Sequence, residues 1–202
     1  MTSDVLRLST GSVDWLHDAG ATGADADDLG RTYGFLHELN RTRELDESVR
    51  FDSQGRRHLR WQLWFFTEAR EEVLDQPLVR KILAAAPLCG SDGHGLVAYN
   101  ATFYVREHFR RRRLASTVYA SESDLYRHWG IRQIQMRAQR DGPSVWIRSF
   151  GFLPTEPQLL AADYRGWARR GGHPTERVQN PAEYPEEFLH SVRDLELYKV
   201  LS

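Results

Sequence analysis

Cysteine is almost missing from this chain. Cys89 stands alone, so an intramolecular disulfide and a multi-cysteine metal site are both excluded, and a reducing cytoplasm is the expected compartment. Lysine is nearly as scarce: of the 27 basic residues only Lys81 and Lys199 are lysines, so any anion recognition falls to arginine and its planar, bidentate fork. The arginines are scattered as compositional drift would scatter them, and only a cluster carries information. Long apolar runs are also lacking. The opening "MTSDVLRLST" contains Asp4, and nowhere does the roughly 18-residue apolar run of a membrane span occur, so neither secretion nor a membrane is expected. Finally, there is no excess of either charge. A formal net charge of −1 argues against a general polyanion binder, and any basic function must be local.

What is present is core material. The 202 residues are 41% hydrophobic, with six Trp, nine Phe and eight Tyr, enough for one ordinary globular domain without disulfide or metal staples. The single cysteine, in "AAAPLCGSDG", would need a base partner to act as a nucleophile, so a packing role is expected.

The pattern along the chain predicts a short opening strand over residues 5 to 10. Two helices follow, one in "VDWLHDAG" and a second in "ADADDLGRTYGFLHELNRTREL", the second with Leu29, Tyr33, Leu36 and Leu39 at helical spacing. Leu59, Trp61, Leu63 and Phe65 alternate as in a strand, while Leu59, Leu63 and Phe66 also suit a helical face; of the two, a hairpin turning at Ser53 to Gly55 is preferred. "PLVRKILAAAP", residues 77 to 87, reads as a helix bounded by its prolines. "GLVAYNATFYV", residues 95 to 105, is rich in β-branched and aromatic residues and reads as a central strand. "RLASTVYASESDLYRHWG" then carries Leu114, Val118, Leu125 and Trp129 on a helical stripe, with Gly130 as its stop. A strand at "IRQIQMRA", a short helix in "DGPSVWIRSFGF", helices from Thr155 to Gly171 and in "PEEFLHSVRD", and a closing edge or near-edge strand "LELYKVL" complete an α/β pattern.

Between the central strand and its helix lies "FRRRRLAS", residues 109 to 116. A helix N-terminus directed at a strand end offers unpaired N–H groups and the positive end of the macrodipole, and so suits phosphate oxygens. Arginines beside it add charge-assisted contacts. A basic face spread for nucleic acid would look different, with aromatics interleaved. The turn therefore predicts a small phosphorylated ligand.

The run "YVREHFRRRRLASTVYASESDLYRHWGIRQIQMRAQRDGPSVWIRSFGF", residues 104 to 152, resembles the core of the GNAT superfamily of acyl-CoA N-acyltransferases. There a strand leads into Arg/Gln-x-x-Gly-x-Gly/Ala at a helix start, and the turn's amides hold the coenzyme A pyrophosphate. Arg110 falls on the first motif position, Arg113 on the first glycine and Ala115 on the last small residue. The resemblance implies a GNAT-like mixed central sheet, splayed in the middle near residues 100 to 105 and flanked by helices. It also implies a single domain over residues 1 to 202: an acceptor-side half (1 to 94), a CoA-binding core (95 to 152), and C-terminal helices with a closing strand (153 to 202).

The implied activity is transfer of an acetyl or other acyl group from acyl-CoA to an amine of a small molecule or protein. Phe103, Tyr104 and Val105 would flank the pantetheine, and Arg110, Arg111, Arg112, Arg113, Leu114, Ala115 and Ser116 would hold the pyrophosphate. An oxyanion donor is expected among the backbone N–H groups of Tyr104 to Arg106. Tyr99, Glu107 and His108 are the candidate bases, with His94 beside them; Ser149 and Trp146 are candidates for the thiol side, Trp146 being also a packing residue.

Two departures stand out. Arg113 replaces a glycine, which implies a helical φ there. Ile147 stands where many members place the tyrosine that protonates the thiolate. These departures keep two alternatives open: a GNAT-fold transferase using a carrier-protein or aminoacyl-tRNA donor, and a non-catalytic module binding CoA or a partner. Nucleic acid is otherwise disfavoured as a partner, with tRNA entering only under the first alternative, and a homodimer is left open. No metal is expected: the eight histidines lack two-ligand helical spacing with a nearby carboxylate, and no nucleophile elbow or P-loop occurs.

Overall fold

Alternating burial along the strands explains the sheet. In the computed structural model, which describes residues 6–35, 42–67, 71–139, 142–171, 173 and 180–201, β1 (Thr42–Phe51) and β2 (Arg57–Phe66) form an antiparallel hairpin. The hairpin turns through Ser53 to Gly55 as the sequence predicts. Leu59, Trp61, Leu63 and Phe65 of β2 are buried, while the residues between them are half-buried, the signature of a sheet with one covered face. β3 (Leu78–Pro87) pairs with β2, and β4 (His94–Thr102) with β3, both antiparallel.

The helices are α1 (Thr10–Asp18), α2 (Asp28–Thr32), α3 (Leu114–His128), α4 (Gly142–Phe150), α5 (Pro157–Gly171) and α6 (Glu186–Ser191). The remaining strands are β5 (Gln133–Ala138), β6 (Leu153–Pro154) and β7 (Leu195–Val200). Hydrogen bonding orders the seven strands β1-β2-β3-β4-β5-β7-β6, an α/β fold in which β1 is outermost and the closing strand lies next to the opposite edge. No helix among the described residues is long and apolar enough to cross a membrane.

Three expectations are corrected. The helix expected over residues 77 to 87 is instead the strand Leu78–Pro87, because pairing with β2 on one side and β4 on the other outweighs the helix preference of leucine and alanine. Residues 6 to 9 form no strand; Leu6 and Leu8 are buried, yet Leu8 N–H bonds the Ala26 carbonyl across a loop. The predicted second helix is only five residues long, and its "TREL" end belongs to β1. Leu36 and Leu39 lie outside the described residues.

The chain divides into two compact units. One comprises residues 1–88, 93–134 and 201–202, the other 89–92 and 135–200. In the first, α3 and the residue that follows it lie on the sheet face carrying Trp61, Arg80 and Asn100. Trp129 meets Trp61 edge-on, Glu122 pairs with Arg80, and the Tyr126 hydroxyl donates to Asn100. Tyr33, just after α2, closes this packing with its hydroxyl on Glu122. The second unit is built around aromatic rings: Tyr164 stacks on Tyr184 at 4.7 Å, and Phe188 meets both.

Candidate functional site

The end of β4 is irregular in a specific way. Val79 pairs with Thr102, but its neighbour Arg80 pairs with Asn100, so Ala101 is an extra residue and β4 bulges. Beyond the bulge the chain runs on to a single antiparallel bridge between Leu74 and Val105. The Asp75 N–H bonds the Tyr104 carbonyl at 2.9 Å and the Arg106 N–H bonds the Val73 carbonyl at 3.1 Å. In an antiparallel pair, bonds that flank a bridged residue leave that residue's own N–H and C=O directed to the opposite side. Val105 is therefore the member of Tyr104 to Arg106 whose amide faces away from the pairing segment, while the Arg106 amide is engaged by Val73. The Val105 carbonyl accepts from Arg110 Nε at 2.9 Å.

The basic turn follows a 3₁₀ turn at Glu107–Phe109. Arg110 is extended, at φ −66° and ψ 166°, and Arg111 and Arg113 are both left-handed, at φ 63° and 58°. Arg113 is the N-cap of α3. The helical φ expected at Arg113 is thus corrected. The strand-to-helix reversal demands a left-handed residue there, and the arginine adopts the conformation a glycine would supply, at a cost of about 1–2 kcal/mol. Arginine has no acceptor atom, so it cannot cap the helix, and no side-chain cap bond forms. The Leu114, Ala115 and Ser116 amides lead α3, whose first helical bond runs from Thr117 N–H to the Arg113 carbonyl at 3.0 Å. Alternating backbone handedness ahead of uncapped amides is the geometry of an anion-binding concavity.

The four arginines divide into two kinds. Arg110 lies over the Tyr104 ring, its guanidinium carbon 4.8 Å from the centroid, and donates to the Tyr104 hydroxyl. Arg112 lies over Phe109 at 5.4 Å. All four are exposed; Arg110 and Arg112 brace the turn, whereas Arg111 and Arg113 stand on its left-handed corners.

The candidate bases fall in separate surroundings. Tyr99 is half-buried on β4 opposite Lys81, whose Nζ is 5.9 Å from the ring centroid. Glu107 and His108 are exposed in the 3₁₀ turn. His108 Nε2 is 2.9 Å from Glu71 Oε1, and Arg106 reaches Glu72 at 3.3 Å and Asp75 at 3.8 Å. The structure therefore couples His108 to a carboxylate that sequence reasoning did not single out. His94, at the start of β4, is exposed. In the second unit, Ile147 is buried in α4, Ser149 is exposed, and the half-buried Trp146 packs on Phe150 and Phe152. Burial, helped by Glu196, pushes the Cys89 thiol up, the opposite of what a nucleophile needs.

Sequence reasoning also missed a buried ion pair. Arg80 and Glu122 are each 1% exposed. Arg80 Nε donates to both Glu122 oxygens at 3.1 and 3.2 Å, and Nη2 adds a bond of 3.1 Å. The Tyr33 hydroxyl donates to Glu122 Oε1 at 2.6 Å. Burial opposes the charge on Arg80, but the field of Glu122 and the neighbouring tyrosines overcomes it and raises the guanidinium's pKa further. Burial first, then Glu122, pushes the Tyr33 and Tyr126 hydroxyls well above their ordinary range. A signal existed: Glu122 falls on the apolar stripe between Val118 and Leu125, where a charge needs a partner.

No family model and no curated protein matches the chain. Among the solved structures similar to it over nearly its whole length are two acetyltransferases. One is an acetyltransferase of the GNAT family from Staphylococcus aureus Mu50, at 10% identity and TM-score 0.36, covering 97% of each chain. Another is the spermidine N-acetyltransferase of Vibrio cholerae in complex with CoA and spermine, at 10% identity and TM-score 0.34, covering 96% of this chain and 93% of that one.

Proposed function

We propose that this protein is an N-acyltransferase that moves an acetyl or other acyl group from acyl-CoA to an amine, working as one domain whose residues 1 to 94 receive the acceptor. One observation carries the reading: a bulged strand delivers the chain to a left-handed Arg113 at an uncapped helix start. The donors of that turn fit a pyrophosphate. Leu114, Ala115 and Ser116 would contribute amides and the helix dipole, and Arg111 and Arg113 guanidinium charge. Arg110 and Arg112 would hold the turn in shape. Phe103, Tyr104 and Val105, continuing from β4, would flank the pantetheine.

In the reaction a neutral amine attacks the thioester carbonyl, the oxygen takes up the negative charge, and collapse of the tetrahedral species expels the CoA thiolate. The Val105 N–H is the donor suited to that oxyanion, since its direction is set by the Leu74 bridge before substrate arrives. A thiol pKa near about 8.5 lets the leaving group depart without an acid, consistent with Ile147 in place of a tyrosine. Tyr99, Glu107 and His108 remain the proposed bases, and the Glu71–His108 pair gives His108 the orientation by a carboxylate that a base requires.

Titration calorimetry with CoA tests the reading. CoA binds the wild type, and charge reversal of Arg111 and Arg113 abolishes the heat; a wild type that fails to bind CoA overturns it. Free-thiol release with a panel of acyl-CoAs and amines identifies the base, with Tyr99→Phe or His108→Gln lowering kcat by about 10²-fold where that residue acts. Ile147 also favours a second reading, a module that binds CoA without turnover, which the same panel separates.

A further inference from the structure

The geometry of the buried Arg80–Glu122 pair gives it a task at the bulge. Arg80 is the β3 residue on one side of the register shift, paired with Asn100, while its neighbour Val79 pairs with Thr102. A bulge disrupts the ladder locally and leaves carbonyls that the partner strand cannot serve. Arg80 serves them: Nη1 donates to the Thr102 carbonyl at 2.7 Å and to the Val79 carbonyl at 3.1 Å. Those are the two residues of the pair at the shift. The remaining donors, Nε and Nη2, are taken up by Glu122 of α3. One guanidinium thus ties β3, the last residue of β4 and the helix led by the basic turn.

We infer that Arg80, held by Glu122, is a positioning residue that fixes the exit of β4 and so aims the Val105 amide and the start of the basic turn. Thr102 is three residues before Val105, and the intervening chain is anchored next at Tyr104 and Arg106, by Asp75 and Val73. The Arg80 clamp is the anchor on the β4 side of that span. Phe103 lies within it, and the guanidinium carbon is 5.8 Å from its ring centroid. Lysine in place of Arg80 would keep the charge next to Glu122 but could not reach two carbonyls and a carboxylate in one plane. Geometry is the contribution inferred for the pair, since replacing a buried ion pair by apolar residues of similar volume is often neutral for stability.

The inference rests on the acyltransferase reading for its catalytic arm, and a second arm is independent of it. The double variant Arg80→Met/Glu122→Leu replaces the pair without leaving a lone buried charge. Amide hydrogen exchange is measured along residues 103–106, together with kcat and the affinity for CoA. The Arg106 amide is expected to exchange at least about tenfold faster than in the wild type, with the β1–β2 hairpin unchanged. kcat is expected to fall about 10²-fold while CoA affinity stays within about threefold, the split produced by a misaimed donor. Unchanged exchange at 103–106 overturns the proposal, as does a kcat that is unchanged or falls only with CoA affinity. Should the double variant not fold, Arg80→Lys is measured in the same way, and the same outcomes support or overturn the proposal. A wild type that transfers no acyl group sinks the transferase reading alone, and the exchange arm then decides the positioning role.

Discussion

Arg113 concentrates the chemistry of the turn in one residue. It occupies a glycine's conformation and keeps a guanidinium that glycine would lack. Arg113→Gly is expected to raise stability by up to about 1 kcal/mol, because the left-handed penalty disappears. The same variant weakens CoA binding about tenfold, the scale of a lost charge-assisted hydrogen bond. Thermal denaturation and calorimetry on one preparation measure both, and unchanged CoA affinity would leave Arg113 without a grip on phosphate. The place of the four arginines between a strand and a helix was legible in the sequence, because that order is a pattern. The handedness of Arg113 was not, since φ there is set by the reversal of the chain and not by the residue. Arg80 was likewise hidden: "LVRKIL" names a charge, but only the pairing of β2, β3 and β4 shows that it is buried at a bulge.

At the scale of elements, α3 was readable from its helical period, and the hairpin from its turn at Ser53 to Gly55, which decided between the two periods that β2 carries. β3 was not, because its helix-favouring composition yields to strands on both sides. β2 also carries a titration. His58 is buried, and burial first, then the charge of Lys81, pulls its imidazole below the ordinary value. The folded protein binds that proton less readily than the unfolded chain, whose histidine titrates near about 6.5. The stability is therefore full above about pH 6.5 and is lost as pH falls toward the lower folded value. His58→Gln removes this contribution, so its melting temperature drops less than that of the wild type on going from about pH 7.5 to about pH 5.5. An equal drop would assign the acid sensitivity in that window to other groups; Asp25, held low by its bond from Arg31, loses its contribution only further down, below about pH 4.

For the molecule as a whole, composition correctly signalled a chain that buries a core, and the aromatics it is rich in build the second unit. Phe188 is 2% exposed, and its ring lies 5.3 Å from Tyr164 and 5.7 Å from Trp167. Phe188→Ala opens a cavity there and is expected to cost about 3–5 kcal/mol. Exchange protection should then be lost first in α4 to α6, and uniform loss across all elements would show that both units open together. At the other end of the strand order, β1 has one side without a neighbouring strand among the described residues. A long edge of that kind is a template on which a second molecule could add a strand. Glu44, Asp46 and Arg50 are exposed along it, so a chain docking there would have to strip water from those groups. Replacing Glu44 and Asp46 together by threonine is expected to make the protein associate through β1 at high concentration, which light scattering would read as a rising mass, and an unchanged mass would show that these charges do not guard the edge.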